Sequence, residues 1–300
     1  MWRSIRSDRA QQCLGIARGA VALAGQVGTR PRVEIFDMPP GVSPRPSARV
    51  ANGSGHDLSS AVRRAGRMEG RSSSGVRVVI GNDLACHWLL APPTGATSLR
   101  EIQAVAQARF AELFGERPDE WLVTGDWRTG HPFICAAVPK WVVAGVNGGV
   151  PGEVPGVCTG TVLGRALELF HRQLPNTGWC CVHSPRSLAL IHLRNGLPVT
   201  LRVAPVVEGA TRDGIFAAGA EELQREAARQ AREPVVNATW LELTAQRPGD
   251  ASTSRSGHSG VALRVLHLDH NHRMTGDAAG AAAEATVAAI LGATSRVSIS

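Results

Sequence analysis

GWCCVHSPRSLALIHLRNGLPVTLRVAP, residues 178–205, carries the clearest strand and turn signals of the chain. It holds three apolar runs, Trp179 to His183, Leu188 to Leu193 and Val199 to Ala204, separated by Ser184-Pro185-Arg186 and Asn195-Gly196. An Asn-Gly pair between apolar runs is the strongest short-range hairpin signal, because both central residues of a type I′ turn need a positive φ. The stretch therefore reads as a three-strand antiparallel meander. Downstream, Ile215 to Arg232 has helical spacing with Leu223 and Ala227 on its apolar face, and Val235 to Leu243 is an apolar strand. The order β, β, β, α, β places the chain in the α/β class.

Upstream, VRVVIGNDLACHWLLAPPTG (76–95) reads as two strands around Gly81-Asn82-Asp83, turn chemistry for a hairpin. Ser98 followed three residues later by Glu101 has the spacing of a capping box, and Ile102, Val105, Ala106, Phe110, Leu113 and Phe114 recur at helical intervals up to Gly115. Trp121 to Trp127 and Pro132 to Val138 read as two further strands; Lys140 to Ala144 opens a helix that Gly145 is expected to cut short, and Thr161 to Gln173 resumes helical spacing. After a low-complexity insert, Arg247 to Gly260, come a strand over Val261 to Leu268 and an alanine-rich helix over Ala278 to Leu291. Two successive α/β blocks predict a duplicated unit, with a first lobe over 76–150, a second over 151–270, a tail over 271–300, and the lobes meeting near Gly145 to Cys158.

The formal charge of +7 sits in one place. Residues 1–75 hold twelve arginines against five acids, whereas the rest of the chain holds twenty basic and twenty acidic residues. Pro39 to Ser74 is dominated by Pro, Gly, Ser and Arg, a composition that buries too little apolar surface to offset its ordering entropy. A basic, mostly disordered leader is therefore expected over 1–75, with a short helix at Gln11 to Ala24. Such an arm can contact anionic lipid or, less specifically, nucleic acid by counterion release. Arg18 interrupts the apolar start and no clean cleavage site follows, and no apolar run reaches the roughly 18 residues a spanning helix needs, so a cytoplasmic protein is expected. The six cysteines form no C-x-x-C and read as reduced core thiols.

Little in the chain carries chemistry. H-E-x-x-H, G-x-S-x-G, the P-loop pattern and G-x-G-x-x-G are all missing, and with no tyrosine there is no phenol to act as a general acid. His267, His270 and His272 sit close together around Asp269, but alternation along a strand puts His267 and Asp269 on one face and His270 and His272 on the other, so no metal site is expected. Asp83 and Asp126 are the acids placed where an α/β fold keeps functional carboxylates; as a pair they would suit a divalent ion for phosphoryl transfer, and as turn residues they need no function. The tryptophans at 88, 121, 127, 141, 179 and 240 read as core.

The block 76–95, followed by SLREIQAVAQARFAELFGERPDEWLVTGDW (98–127) and HPFICAAVPKWVV (131–143), resembles the opening lobe of the actin-like proteins that serve bacterial type IV pilus and type II secretion machines, the PilM and GspL type. Residues 178–205 with the helix and strand after them resemble the start of their second lobe. The resemblance implies two lobes, each a βββαβ unit of the ribonuclease H kind, with any nucleotide in the cleft between them on hairpin turns that bear an acid. Gly81, Asn82 and Asp83 would be the first such turn, a phosphate-loop position. Ser184-Pro185-Arg186 would be the second, and it fits poorly because Pro185 lacks a backbone donor. No cofactor is expected on that ground, ATP being the one candidate. What the resemblance implies about function is a non-enzymatic cytoplasmic scaffold, peripheral at the inner membrane, that docks an inner-membrane assembly protein through a peptide or a sheet edge. A ribonuclease H-like phosphoryl-transfer enzyme, a degenerate actin-like ATPase and a nucleic-acid binder working through the arginine leader are the alternatives.

Overall fold

The computed structural model describes residues 13–27, 30–37, 51–67, 76–96, 98–127, 130–149, 158–207, 209–230, 234–243, 261–267, 273–274 and 280–293. The chain opens on an antiparallel meander, β1 (Cys13–Ala17), β2 (Ala20–Val27) and β3 (Arg30–Asp37), followed by α1 (Ala51–Arg67) and β4 (Arg77–Ile80), which returns parallel to β1. An inserted unit follows: β5 (Cys86–Leu90), α2 (Leu99–Phe114), β6 (Trp121–Gly125) and β7 (Phe133–Pro139), a three-stranded antiparallel sheet in the order β5-β7-β6. Then α3 (Lys140–Gly149) leads back to β8 (Cys158–Thr161), parallel to β4, and to α4 (Val162–Phe170).

The second half repeats the first. Strands β9 (Gly178–Ser184), β10 (Ser187–Arg194) and β11 (Leu197–Pro205) form a meander; α5 (Arg212–Arg229) crosses to β12 (Asn237–Glu242), parallel to β9, and β13 (Ala262–His267) lies parallel to β12. A two-residue strand, β14 (Arg273–Met274), edges the first sheet before the last helix, α6 (Gly280–Ala293). The sheet orders are β14-β3-β2-β1-β4-β8 and β11-β10-β9-β12-β13, so five strands of each sheet follow one plan.

Alternation along the central strands sorts the side chains into two cores. In β1, Leu14 and Ile16 join Val78 and Ile80 of β4 against Leu58, Ala61 and Val62 of α1 and Val142 and Val146 of α3. Cys13 and Ala17 face the other way, into a core shared by both sheets with Val162, Leu163, Ala166 and Phe170 of α4 and nearly all of α6. In β9 and β10, Cys180, Val182, Ala189 and Ile191 enter that same shared core, while Trp179, Cys181, Leu188 and Leu190 pack on α5 with Trp240. Apart from Glu284 and Thr286, helix α6 is made of apolar residues and glycine, and it lies between the layers, as such a helix must. In the inserted unit, the Ser98/Glu101 capping box is formed, and Phe110 stacks at 5.5 Å on Trp88 and 5.2 Å on Trp121.

Several expectations need correction. The disordered leader over 1–75 does not describe residues 13–27, 30–37 and 51–67, which supply three strands and a helix of the first lobe, so that lobe includes residues well before Val76. The helix expected at Gln11 to Ala24 is instead β1 and β2, because Arg18-Gly19, with Gly19 at φ 95°, turns the chain back on itself. Gly81-Asn82-Asp83 is not a hairpin turn, since β4 and β5 belong to different sheets. Helix α3 runs through Gly145 to Gly149 rather than stopping, because α1 packs so closely that a Cβ on Gly149 would lie 2.7 Å from the Ser59 carbonyl oxygen. The alanine-rich tail helix is present, and it is part of the core.

Candidate functional site

The duplication brings two equivalent hairpin turns to the middle of the molecule: Arg18-Gly19 between β1 and β2, and Pro185-Arg186 between β9 and β10. The carboxyl end of β4 runs beside the first turn, where the Gly81 N–H donates to the Ile16 carbonyl at 2.6 Å. Carboxyl ends of parallel strands are where open α/β sheets expose backbone donors.

Two carboxylates fill this place. Glu284 of α6 is fully buried; its Oε1 accepts from the Asn82 N–H at 3.0 Å and the Ser184 hydroxyl at 3.2 Å, and its Oε2 accepts from the Arg186 N–H at 3.2 Å. Asp83 Oδ2 accepts from the Arg18 N–H at 3.0 Å and lies 3.5 Å from the Arg186 guanidinium, while Oδ1 is buried without a partner. A Cβ on Gly81 would come within 2.7 Å of Asp83 Oδ1 and 2.8 Å of Glu284 Cγ, so the two acids face each other across a glycine. Burial, reinforced by the charge of Asp83, pushes the Glu284 carboxyl up to about 7 against the opposing hydrogen bonds. Burial also raises Asp83, which the Arg18 N–H and the Arg186 charge oppose.

Asn82 ties the halves together. Its Nδ2 donates to Ser187 Oγ at 2.9 Å, and its Oδ1 accepts from the Leu163 N–H at the start of α4 at 3.0 Å. Because the Ser184 hydroxyl gives its one proton to Glu284, the Ser187 hydroxyl is the donor to Ser184 Oγ at 2.9 Å, giving a chain with one direction from Asn82 to Glu284.

A second buried group lies at the carboxyl ends of β9 and β12. Glu242 Oε2 accepts from the Trp240 indole at 2.6 Å and from His183 Nδ1 at 3.1 Å, with the Arg212 guanidinium 3.9 Å from Oε1. Burial works to raise this carboxyl, but the His183 and Trp240 hydrogen bonds and the charges of His183 and Arg212 together hold it below its usual range. Arg212 is itself stacked over the Phe216 ring, 5.3 Å from its centroid.

A third feature belongs to the inserted unit. A groove of about 510 Å³ runs between β6, α2 and the start of α3, lined among others by Gln103, Gln107, Trp121, Leu122, Trp127 and Lys140, the one lysine of the chain. Leu122 is 44% exposed, the Trp121 indole N–H is buried without a partner, and Trp127 is held at φ 50°, a conformation a bulky side chain rarely adopts.

Of the residues expected at a site, Gly81, Asn82 and Asp83 do come together with Ser184 and Arg186. Pro185 has no N–H to match that of Arg18 in the first turn, and the donor the second turn does present is the Arg186 N–H, which goes to Glu284. Asp126 follows β6 in the inserted unit, whereas the carboxylate beside Asp83 is Glu284. Among the described residues, no group of three or more His, Cys, Asp or Glu could hold a metal ion; His270 and His272 lie outside them, as does the His267 side chain. Glu284 was missed, though the one charge in GAAAEATVAAILGA was a legible signal. Cys13, Cys135, Cys180 and Cys181 are buried thiols, and burial lifts those of Cys13, Cys135 and Cys180 to about 12. No helix among the described residues is long and apolar enough to cross a membrane.

No family model matches the chain, and no curated protein matches it. Among solved structures, it is similar to the PilM–PilN type IV pilus biogenesis complex over 96% of this chain and 98% of that one, at 16% identity and a TM-score of 0.56. It is similar to a protein of Bacteroides thetaiotaomicron with an actin-like ATPase fold and unknown function over 89% and 94%, at 9% identity and a TM-score of 0.53. With two sheets built on one five-strand plan and two helices packed between them, the chain has the two-lobed actin-like fold.

Proposed function

We propose that this chain is a docking scaffold of the pilus and secretion assembly kind, which holds an extended segment of an inner-membrane partner in the groove along β6. The observation that supports this reading is the groove itself: β6 is one of the two outer strands of its sheet, an unpaired indole donor lines the groove, and Leu122 offers apolar surface beside a strained tryptophan. A strand edge supplies backbone hydrogen bonds and alternate side-chain pockets to an extended peptide. The shared fold with PilM of the PilM–PilN complex agrees with a partner of this type. Such a scaffold works on the cytoplasmic face of the membrane without catalysis. The test is fluorescence anisotropy with labelled peptides tiled from cytoplasmic tails of inner-membrane proteins encoded beside this chain. Leu122→Arg is expected to weaken the bound tail at least about tenfold while leaving the melting temperature within the small range of surface substitutions. Unchanged binding by Leu122→Arg, or no tail that binds, would refute the groove.

Contact with anionic lipid through the basic start of the chain is part of the same reading. Deleting 1–75 cannot test it, because β1 to β3 and α1 would be lost. A chain carrying Arg3→Ser, Arg6→Ser and Arg9→Ser is expected to float less with anionic vesicles than the unaltered chain, and equal recovery would remove lipid contact from the proposal.

A further inference from the structure

Backbone N–H groups gathered at turns and strand ends form anion receptors, because their dipoles point at one spot and their donors would otherwise go unpaired. Here the receptor is assembled from both halves. The Arg18 N–H comes from the first hairpin turn, the Asn82 N–H from the end of β4, and the Arg186 N–H and Ser184 hydroxyl from the second hairpin turn. All four donate to carboxylates of the chain itself, and the glycine between Asp83 and Glu284 leaves no side chain to part them.

We propose that Asp83 and Glu284 serve as a built-in anion that occupies the phosphate-accepting position between the lobes, making α6 an internal ligand that latches the two halves and keeps free phosphate and nucleoside triphosphates out. Three further facts fit this assignment. Glu284 is the one charged residue of a helix otherwise made for a dry core, so its place in α6 answers to the turns and not to the helix's own packing. The directed chain from Asn82 through Ser187 and Ser184 ends on Glu284, so the hydroxyls are already committed. The cationic groups facing the acids are those of Arg186, 3.5 Å from Asp83, and Arg18, whose charge also acts on Asp83; at the far end of α6, the Arg165 side chain holds the Leu291 carbonyl at 3.1 Å. An anion entering here would find these donors already taken and the Asp83 carboxylate at close range in a buried place, where repulsion between like charges is strongest. The proposal is independent of the peptide groove, which lies in a different unit of the chain.

Thermal unfolding of the full chain in rising inorganic phosphate, and separately in rising magnesium ATP, tests it. The unaltered chain is expected to show no saturable rise in melting temperature. Glu284→Ala uncovers the Asn82 and Arg186 N–H groups; it is expected to melt lower in phosphate-free buffer and to recover with a saturable dependence on phosphate. Saturable stabilisation of the unaltered chain by either ligand overturns the proposal, and so does a folded Glu284→Ala chain that does not respond to phosphate. If Glu284→Ala fails to fold, calorimetric titration of the unaltered chain with ATP decides alone: bound nucleotide refutes the built-in anion, and no heat of binding upholds it.

Discussion

Gly15→Ala is expected to remove most of the stability of this chain. A Cβ at position 15 would stand 1.9 Å from the Ala285 carbonyl oxygen and 2.3 Å from the Ala289 nitrogen. Both are backbone atoms of a buried helix, so no side chain can swing aside, and α6 itself must move off β1. The helix then takes Val287, Ile290 and Leu291 out of a core in which all three are fully buried. Each such side chain contributes about 1.5–3 kcal/mol, against a whole-domain stability of about 5–15 kcal/mol. Moving α6 also pulls Glu284 away from both hairpin turns, leaving buried donors unpaired. Gly160→Ala in β8 is the control, since a Cβ there meets nothing within 4 Å and the substitution is expected to be neutral or to stabilise by about 0.4–1 kcal/mol. Urea unfolding of the three chains reads the difference, and a Gly15→Ala midpoint equal to that of the unaltered chain would show that α6 does not rest on Gly15.

The second large effect is one of pH. A carboxyl raised from 4.5 to about 7 in the folded chain holds a proton that the unfolded chain has already lost, so folding stability falls as pH rises through that window. The shift corresponds to a loss on the order of 3 kcal/mol by pH 8. Burial raises Asp83 in the same direction, opposed by the Arg18 N–H and by the charges of Arg186 and Arg18, the cations facing the pair.

The unaltered chain does not display this slope cleanly. Burial lowers His87, bonded through Nε2 to Thr161 at 3.0 Å, from 6.5 to about 4, and a histidine kept neutral in the fold makes stability rise with pH between those values. The two trends oppose each other up to about pH 6.5, and above it the Glu284 trend acts alone. The informative quantity is therefore the difference between Glu284→Gln and the unaltered chain, which is expected to move in favour of the glutamine variant from pH 5 to pH 8 by up to about 3 kcal/mol. Chemical unfolding at pH 5, 6.5 and 8 measures it. A constant gap across that range would mean that Glu284 does not exchange its proton there.

Local signals are legible wherever the determining residues lie within one element. Ser98 and Glu101 cap α2 three residues apart, Asn195-Gly196 closes β10 onto β11 with Asn195 at φ 53°, and Trp121 to Gly125 pairs with the strand after it. Composition misled the reading of the first lobe. The arginine, proline and glycine of 1–75 hid CLGIA and AVALAGQV, whose alanines and glycines are poor strand formers taken singly and fit here because α6 presses on them.

The class of the fold, the second-half meander, the capped helix of the inserted unit and the resemblance to an actin-like duplication are legible in the residues, because turns, caps and periodicity are properties of neighbours in the chain. That the first lobe includes strands before Val76, that Arg18-Gly19 is the turn equivalent to Pro185-Arg186, and that the acid between the lobes is Glu284 emerge only on folding. Those are matters of contact between segments far apart in the chain, 202 residues in the case of Asn82 and Glu284, and a hydrogen bond across such a separation leaves no mark on the residues beside either partner.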